Sequence, residues 1–281
     1  MLFDLFRSKK TPRLPKHQIP GPVRAGVIRI DLLYPEPPAL DVGAFSSRLA
    51  EIMEKSRIAD GQDAGGALLI EHTDLPLQYE DRTEPAMSVV AQGPVTDMKP
   101  ISVAFAQSPK WEGLEQVRTA THAISVMELM TVTLHPANRL MMLSAVAAVL
   151  CTLHRPLAVH WVNSERLVEP DLFVDVVAEG DVENIIIAGA VHCQLHRKQE
   201  PWVMDTLGLD ALGLNDIQCK FKDVDPGRVA QVLALLASAQ IVTGGDAREY
   251  EKKARKLGMS FDPVPSQFGP PRSVFELNIA G

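Results

Sequence analysis

Apolar positions along this chain follow two different periods. They recur at helical spacing over residues 42–57, 136–154 and 225–241, which predicts three helices. Two further helices are predicted, a short one over residues 169–177 and a charged, largely exposed one that starts at residues 243–246 and ends at Leu257. Short runs rich in valine, isoleucine and leucine predict strands, because these side chains suit a pleated, half-buried surface. These strands cover residues 27–33, 67–70, 101–105, 123–132, 157–162, 185–195, 202–207, 217–221 and 273–279. Residues 73–99 are rich in proline and acids and predict an irregular excursion.

The order of these elements predicts the fold class. A strand, a proline-initiated helix and a further strand recur, with Pro136 and Pro226 each in the first turn of a predicted helix. We therefore predict an α+β fold with mixed or antiparallel sheets and helices packed on one face. Two explanations of the recurrence stay open: a degenerate internal repeat of strand–helix–strand units, or the ordinary alternation of an α+β protein.

Shifts in composition divide the chain into three parts. Its 281 residues fit one large domain or two modest ones. We predict a flexible basic leader over residues 1–24, an N-terminal α/β subdomain over residues 25–117 and a C-terminal α+β domain over residues 118–281. A weak contact with a membrane or partner is the alternative for the leader, whose basic residues are Arg7, Lys9, Lys10, Arg13 and Lys16.

The helix predicted over residues 136–154 is apolar around most of its circumference. Such a helix must be covered on more than one side, so we predict that it is the central buried helix and packs against the sheet. Its apolar run, Leu140–Leu153, is shorter than the roughly 20 residues that span a bilayer, so we predict no membrane span. The positions of one face are Leu140, Leu143, Ala147, Leu150 and Cys151.

Composition and charge limit the function. Apolar residues make up 46% of the chain, which is enough for a substantial core, and the net charge of −7 argues against nucleic-acid binding. The three cysteines, Cys151, Cys193 and Cys219, are widely spaced in apolar patterns and look like buried hydrophobes. We therefore predict a protein of a reducing compartment, the cytoplasm.

Residues 205–217 form the most distinctive segment. Two Leu-Gly-Leu units lie five residues apart, centred on Gly208 and Gly213, and Asn-Asp follows them. Glycine at such positions allows a positive φ or a close backbone approach, so we predict a tight structural turn. The segment carries no nucleophile, general base or metal cage.

Three segments in this order resemble the bacterial domain-of-unknown-function family 4261. They are Thr121–Val126 with its following helix, then Ala158–Ser164 leading to Glu169–Phe173, then Asp205–Leu209 with Leu212–Leu214. The resemblance covers about residues 118–222 and leaves residues 1–117 unexplained. It implies an intracellular bacterial protein in an immunity-type or secretion-linked setting. The family supplies no established catalytic residues.

Motif searches predict no catalytic residue, no metal site and no cofactor. His192, Cys193 and His196 lie on a predicted strand, where the two histidines are roughly 13 Å apart and too distant to ligate one zinc ion. The glycine-containing loops at 61–66 and 244–245 match neither a P-loop nor a dinucleotide fingerprint.

Two functions follow as hypotheses. The first is a non-catalytic cytosolic binding protein, immunity-type or secretion-linked, with a protein partner; whether it forms homo-oligomers stays open. The alternative is a hydrolase-like enzyme with a dispersed histidine and glutamate site in a cleft. Convergence of two or more of its residues within hydrogen-bonding range would favour the enzyme. The candidate pocket residues are His72, His122, His160, Trp161 and Glu165.

Overall fold

A computed structural model describes residues 26–59, 66–197, 200–244 and 247–278. Within them the fold is α+β, as predicted, and contains two mostly antiparallel sheets. The chain separates into two compact units: unit 1 comprises described residues 27–190, and unit 2 comprises Gly26 and described residues 191–278. The predicted leader, residues 1–24, lies outside the described residues.

Unit 1 is built on a seven-stranded antiparallel sheet with the order β2-β3-β4-β5-β1-β6-β7. Its strands are β1 (Arg29–Tyr34), β2 (Ser56–Ile58), β3 (Ala67–Gln78), β4 (Thr83–Pro94), β5 (His122–Leu129), β6 (Ala158–Trp161) and β7 (Arg166–Val168). Its helices are α1 (Val42–Ile52), α2 (Lys99–Gln107), α3 (Pro136–Leu153), α4 (Pro170–Glu179) and α5 (Val182–Ile185), with a 3₁₀ helix at Leu114–Thr119 and a π-helical turn at Ile186–Ala190.

Helix α3 forms the centre of the core of unit 1, as predicted. It contacts β1, β5, α1 and α4. Its residues from Arg139 to Cys151 are all buried. By length and composition alone α3 could cross a bilayer, but 78% of it is buried inside the protein, so it is weak evidence for a membrane span. No clear membrane span is therefore indicated in the described part of the chain.

A smaller cluster covers the second face of the sheet near β1, β6 and β7. Leu33 lies opposite Ala123 on β5 and Ala158 on β6, and all three are buried. Ile101 and Ala104 of α2 pack onto this cluster. The 3₁₀ helix adds Leu114 and Val117 to it.

Unit 2 contains a five-stranded sheet with the order β11-β12-β10-β9-β8, in which only β10 and β12 pair in parallel. The strands are β8 (His192–His196), β9 (Trp202–Leu207), β10 (Asp216–Phe221), β11 (Val264–Pro265) and β12 (Ser273–Asn278), and the helices are α6 (Pro226–Thr243) and α7 (Ala247–Lys256). This strand order differs from that of unit 1, so the described units are not copies of one topology.

Three predicted elements differ from the structure. Residues 73–99 are not irregular, because β3 continues to Gln78 and forms a long hairpin with β4. Residues 101–105 belong to α2 instead of a strand, and a proline in the first turn and an Asp97 side chain bonded to the backbone N of Lys99 start that helix. The run 185–195 is helical up to Ala190 and extended only from His192.

The domain boundary predicted after residue 117 falls inside unit 1. Strand β5, which follows that boundary, pairs with β4 on one side and with β1 on the other. Residues from both sides of the predicted boundary therefore share one sheet. The compact units instead divide after Ala190.

The Leu-Gly-Leu segment is a tight turn, as predicted. Gly208 and Gly213 have φ values of 119° and 78°, and Gly213 ends the 3₁₀ helix Asp210–Leu212. The flanking Leu209, Leu212 and Leu214 are buried, so the turn also anchors the core of unit 2.

Substituting Gly213 with alanine should lower the free energy of unfolding by roughly 1 kcal/mol or more, because a Cβ atom strains a positive φ. Chemical denaturation at equilibrium measures the change. Gly93→Ala is the matched control, since a Cβ there meets nothing within 4 Å and its φ is not in the left-handed region. Equal stability of the two variants would contradict the assigned role of Gly213.

Candidate functional site

His72, the first residue of the predicted pocket, is a core residue of unit 1. Its Nδ1 lies 2.7 Å from the Ser56 hydroxyl and its Nε2 lies 2.9 Å from the Ser88 hydroxyl. Burial lowers the pKa of His72 to about 4, so the ring is neutral at pH 7. Both ring nitrogens are occupied in bonds between neighbouring strands, which is a structural role.

His160 and Trp161 are neighbours on β6, so their side chains point to opposite faces of the sheet. Only 2% of His160 is exposed, and neither ring nitrogen has a hydrogen-bond partner among the described residues. Burial lowers the pKa of His160 to about 4, with the Asp31 charge acting in the opposite direction. Trp161 packs edge-on against Phe173, as a core tryptophan does.

Ser125, Asp31 and His160 lie in one row across β5, β1 and β6. These are the residue types of a nucleophilic triad, but the order is wrong. In a triad the imidazole lies between the hydroxyl and the carboxylate. Here Asp31 lies in the middle, and the Ser125 hydroxyl donates to it directly at 2.7 Å. His160 therefore cannot take the proton of Ser125.

The remaining predicted residues do not complete a site. The Thr121 hydroxyl donates its one proton to the carbonyl oxygen of Pro35. It can therefore only accept a hydrogen bond from Nδ1 of His122, which lies 2.9 Å away. Glu165 lies in the turn after β6, where its carboxylate accepts from Gln107 at 3.5 Å.

The positions of the histidines in the sheet keep them apart. His72 on β3 and His160 on β6 are four strands apart, which is roughly 19 Å. Register places their side chains on opposite faces. The structure thus does not bring these two residues of the predicted pocket together.

Unit 2 carries an open groove of about 580 Å³ across β9, β10, β12 and β11. Its floor is polar: Gln218 lies opposite Glu276 in the strand register, and Nζ of Lys220 bonds to Oε1 of Glu276 at 3.0 Å. Pro201, Pro265 and Gln267 also line the groove. This mixture of amides, one ion pair and prolines suits a ligand with both polar and apolar groups.

A buried charged cluster lies beside this floor. Arg272 donates from Nη2 to Asp205 at 2.6 Å and from Nε to Asp216 at 3.0 Å. Both carboxylates are fully buried, and only 3% of the Arg272 side chain is exposed. Register places Asp205 opposite Gln218, so the cluster and the groove floor share one row of the sheet.

His196 and Thr206 extend the cluster. Nε2 of His196 lies 3.0 Å from Asp205, and the imidazole ring stacks on Phe268 with 4.1 Å between the centroids. The Thr206 hydroxyl donates to Asp216 at 2.8 Å. Burial raises the pKa of Asp216 to about 7, against the lowering effect of Arg272.

The cluster is suited to holding structure in place and not to reacting with a substrate. A general acid or base must reach its substrate, directly or through one water molecule. Asp205 and Asp216 have no exposed side-chain surface, and their oxygens accept from Arg272, Thr206 and His196. Among the described residues no group of three or more His, Cys, Asp or Glu side chains could hold a metal ion.

No family model, curated protein or solved structure matches the chain. The resemblance to the domain-of-unknown-function family 4261 therefore stays a prediction.

The groove and the role of the cluster were not predicted from the sequence. Asp205 and Asp216 lie in the segment that was predicted to be a structural turn, and His196 was considered only as a zinc ligand and rejected because of its distance from His192. The partner that gives both carboxylates a role, Arg272, is 67 residues from Asp205 and 56 from Asp216. In the sequence, Asp205 and Asp216 stand out only as acids that lie within or next to apolar strand patterns. This observation indicates that the carboxylates need a buried partner, but it does not identify a distant arginine.

Proposed function

We propose that the protein is a non-catalytic cytoplasmic binding protein that takes an extended segment of a partner protein into the groove of unit 2. The groove carries this proposal, because it combines an ion pair on its floor with an otherwise largely apolar lining and lies beside a fixed charged cluster. If the family resemblance holds, the setting is immunity-type or secretion-linked. The dispersal of His72 and His160 over opposite faces of the sheet of unit 1 gives the enzyme hypothesis no support.

The dimensions of the groove favour an extended segment. The groove crosses four neighbouring strands, which spans roughly 14 Å at the usual strand spacing. An extended chain of about four residues has the same length. The exposed amide side chain of Gln267 matches the hydrogen-bonding groups of a peptide backbone, while Lys220 and Glu276 match charged side chains of either sign.

Binding to an immobilised library of random peptides tests the proposal, with the full chain as the probe. We expect selected peptides to bind the wild type and to lose about tenfold or more in affinity for Lys220→Glu, because the substitution places two carboxylates together on the groove floor. Lys222→Glu is the matched control: Lys222 is an exposed lysine paired with Glu200, and it does not line the groove.

The double variant Lys220→Glu with Glu276→Lys sharpens the test. It restores the ion pair with reversed order, so it should bind peptides again but prefer a different charge pattern. Peptides that bind Lys220→Glu and Lys222→Glu equally well would place the binding surface elsewhere. A library from which nothing is retained would overturn the groove as a peptide site.

A further inference from the structure

Among the described residues, helices cover the second face of the seven-stranded sheet of unit 1 only in part. The cluster around Leu33, Ala123 and Ala158 lies under α2 and the 3₁₀ helix at Leu114–Thr119. Further along the same face, the strand register brings together a group of large apolar side chains from β3, β4 and β5, here called the open face. Its members are Leu69, Met87, Val89, Met127 and Leu129.

The open face differs in composition from an ordinary solvated sheet surface. An antiparallel sheet with one solvated side normally presents polar residues there. Here Leu129 is 38% exposed, and the other four members are half-buried. Ion pairs border them, Arg57 with Glu71 on the side of β2 and Arg29 with Asp31 on the side of β1. An apolar patch rimmed by polar groups marks an interaction surface.

The N-terminal part of the chain is attached at the margin of the open face. Strand β1 starts at Arg29, which lies opposite Met127. Extending this register by two residues places Val27, which is 57% exposed, opposite Leu129. The residues that precede Val27 therefore start from the edge of the patch.

The sequence before Val27 contains one segment of matching chemistry, Met1–Phe6, which lies outside the described residues. Five of its six residues are large and apolar, whereas between residues 7 and 24 the large aliphatic residues occur singly, at Leu14, Ile19 and Val23. Residues 7–26 connect the segment to the patch. A chain of about 20 residues spans roughly 25 Å as a random coil and about 60 Å when extended, so the open face is within reach.

We propose that Met1–Phe6 binds to the open face of its own chain and shields these apolar side chains from water. The gain comes from removing apolar surface of both partners from water. A connection of this length gives the segment an effective concentration of about 1 mM, so it competes well with a second copy of the chain in dilute solution. The inference concerns unit 1 alone and does not depend on the groove of unit 2.

Photo-crosslinking of the full-length protein tests the contact. With p-benzoylphenylalanine in place of Phe3, we expect crosslinks within one chain to peptides from β3, β4 or β5, identified by mass spectrometry. A mixture of ¹⁴N- and ¹⁵N-labelled protein distinguishes crosslinks within a chain from those between chains.

Substitutions on the sheet locate the contact. The yield should fall about tenfold in Val89→Glu, because the segment would have to desolvate a carboxylate at the centre of the patch. Met127→Gln, an uncharged change of similar size, should lower the yield in the same direction and guards against misfolding of the first variant. Leu172→Glu is the matched control, since Leu172 is a 50% exposed apolar residue on α4.

Truncation supplies a second, independent measurement. Removing residues 1–8 should shift the methyl resonances of Met87 and Met127 in the NMR spectrum and leave those of Met204 and Met259 in unit 2 unchanged. Crosslinks that join two chains would assign the open face to a second copy and overturn the proposal. Crosslinks to other parts of the chain, or unchanged resonances of Met87 and Met127 after truncation, would overturn it as well. Peptide binding in the groove affects none of these results, so the two proposals can fail separately.

Discussion

Replacing Glu128 with alanine should lower the free energy of unfolding by about 3–5 kcal/mol, the usual cost of removing one partner from a buried ion pair. Glu128 on β5 and Arg139 on α3 have 3% and 1% of their side chains exposed. The carboxylate accepts from Nε of Arg139 at 2.7 Å, from the backbone N of Ile28 at 2.8 Å and from the Thr131 hydroxyl. Its removal leaves a guanidinium charge buried without its carboxylate.

Urea denaturation of the wild type and of Glu128→Ala measures this loss of stability, and Glu51→Ala is the control. Glu51 and Arg48 form an ion pair on α1 whose side chains are 63% and 47% exposed, so its loss should cost less than about 1 kcal/mol. The paired replacement Glu128→Leu with Arg139→Met should cost less than Glu128→Ala alone, because no unpaired charge remains. A loss as small as that of the control would show that water reaches the Glu128 site.

Helices were predictable where their start signals were recognised. Pro136 and Pro226 each occupy the first turn of a helix, and Asp225 caps α6 by accepting from the backbone N of Arg228, as the sequence indicates. Pro100 gives the same signal at the start of α2, but the apolar run after it also fits a strand, and the predicted strand over residues 101–105 is wrong. A short apolar run fits the period of a helix as well as that of a strand, so only the residues that flank it distinguish a helix from a strand.

The β3–β4 hairpin was missed because proline usually excludes a strand. Pro76 and Pro85 lie opposite each other, and the pairing shifts register between His72 and Pro76. Proline is tolerated at such irregularities, where a ladder hydrogen bond is already missing. Composition alone does not show that these prolines fall at a register shift.

The candidate site was less predictable than the fold because it depends on distant pairs. Periodicity assigns residues to strands, and this was enough to place β9 and β10. Pairing of Arg272 with Asp205 requires the path of the chain between β11 and β12, which no local pattern encodes. The histidines chosen from the sequence were chosen by residue type, and two of them, His72 and His160, are buried in separate parts of one sheet.

Replacing Leu143 with alanine should lower the free energy of unfolding by about 2–5 kcal/mol, through lost burial and the cavity left behind. Leu143 has no exposed surface, and it lies on the helix that contacts β1, β5, α1 and α4. Since α3 is covered on several sides, no single neighbour can move in to fill the space without losing its own contacts.

Two further substitutions separate the cavity from other effects. Leu143→Met nearly conserves side-chain volume and should cost less than about 1.5 kcal/mol. Leu172→Ala on α4 makes the same chemical change as Leu143→Ala at a position that is 50% exposed, so it should cost much less. Equilibrium unfolding of the three variants shows whether the cost of Leu143→Ala comes from a cavity in a packed core. If Leu143→Ala and Leu172→Ala proved equally mild, α3 would not be the packed centre of unit 1, because a side chain that can be removed without cost is not holding its neighbours in place.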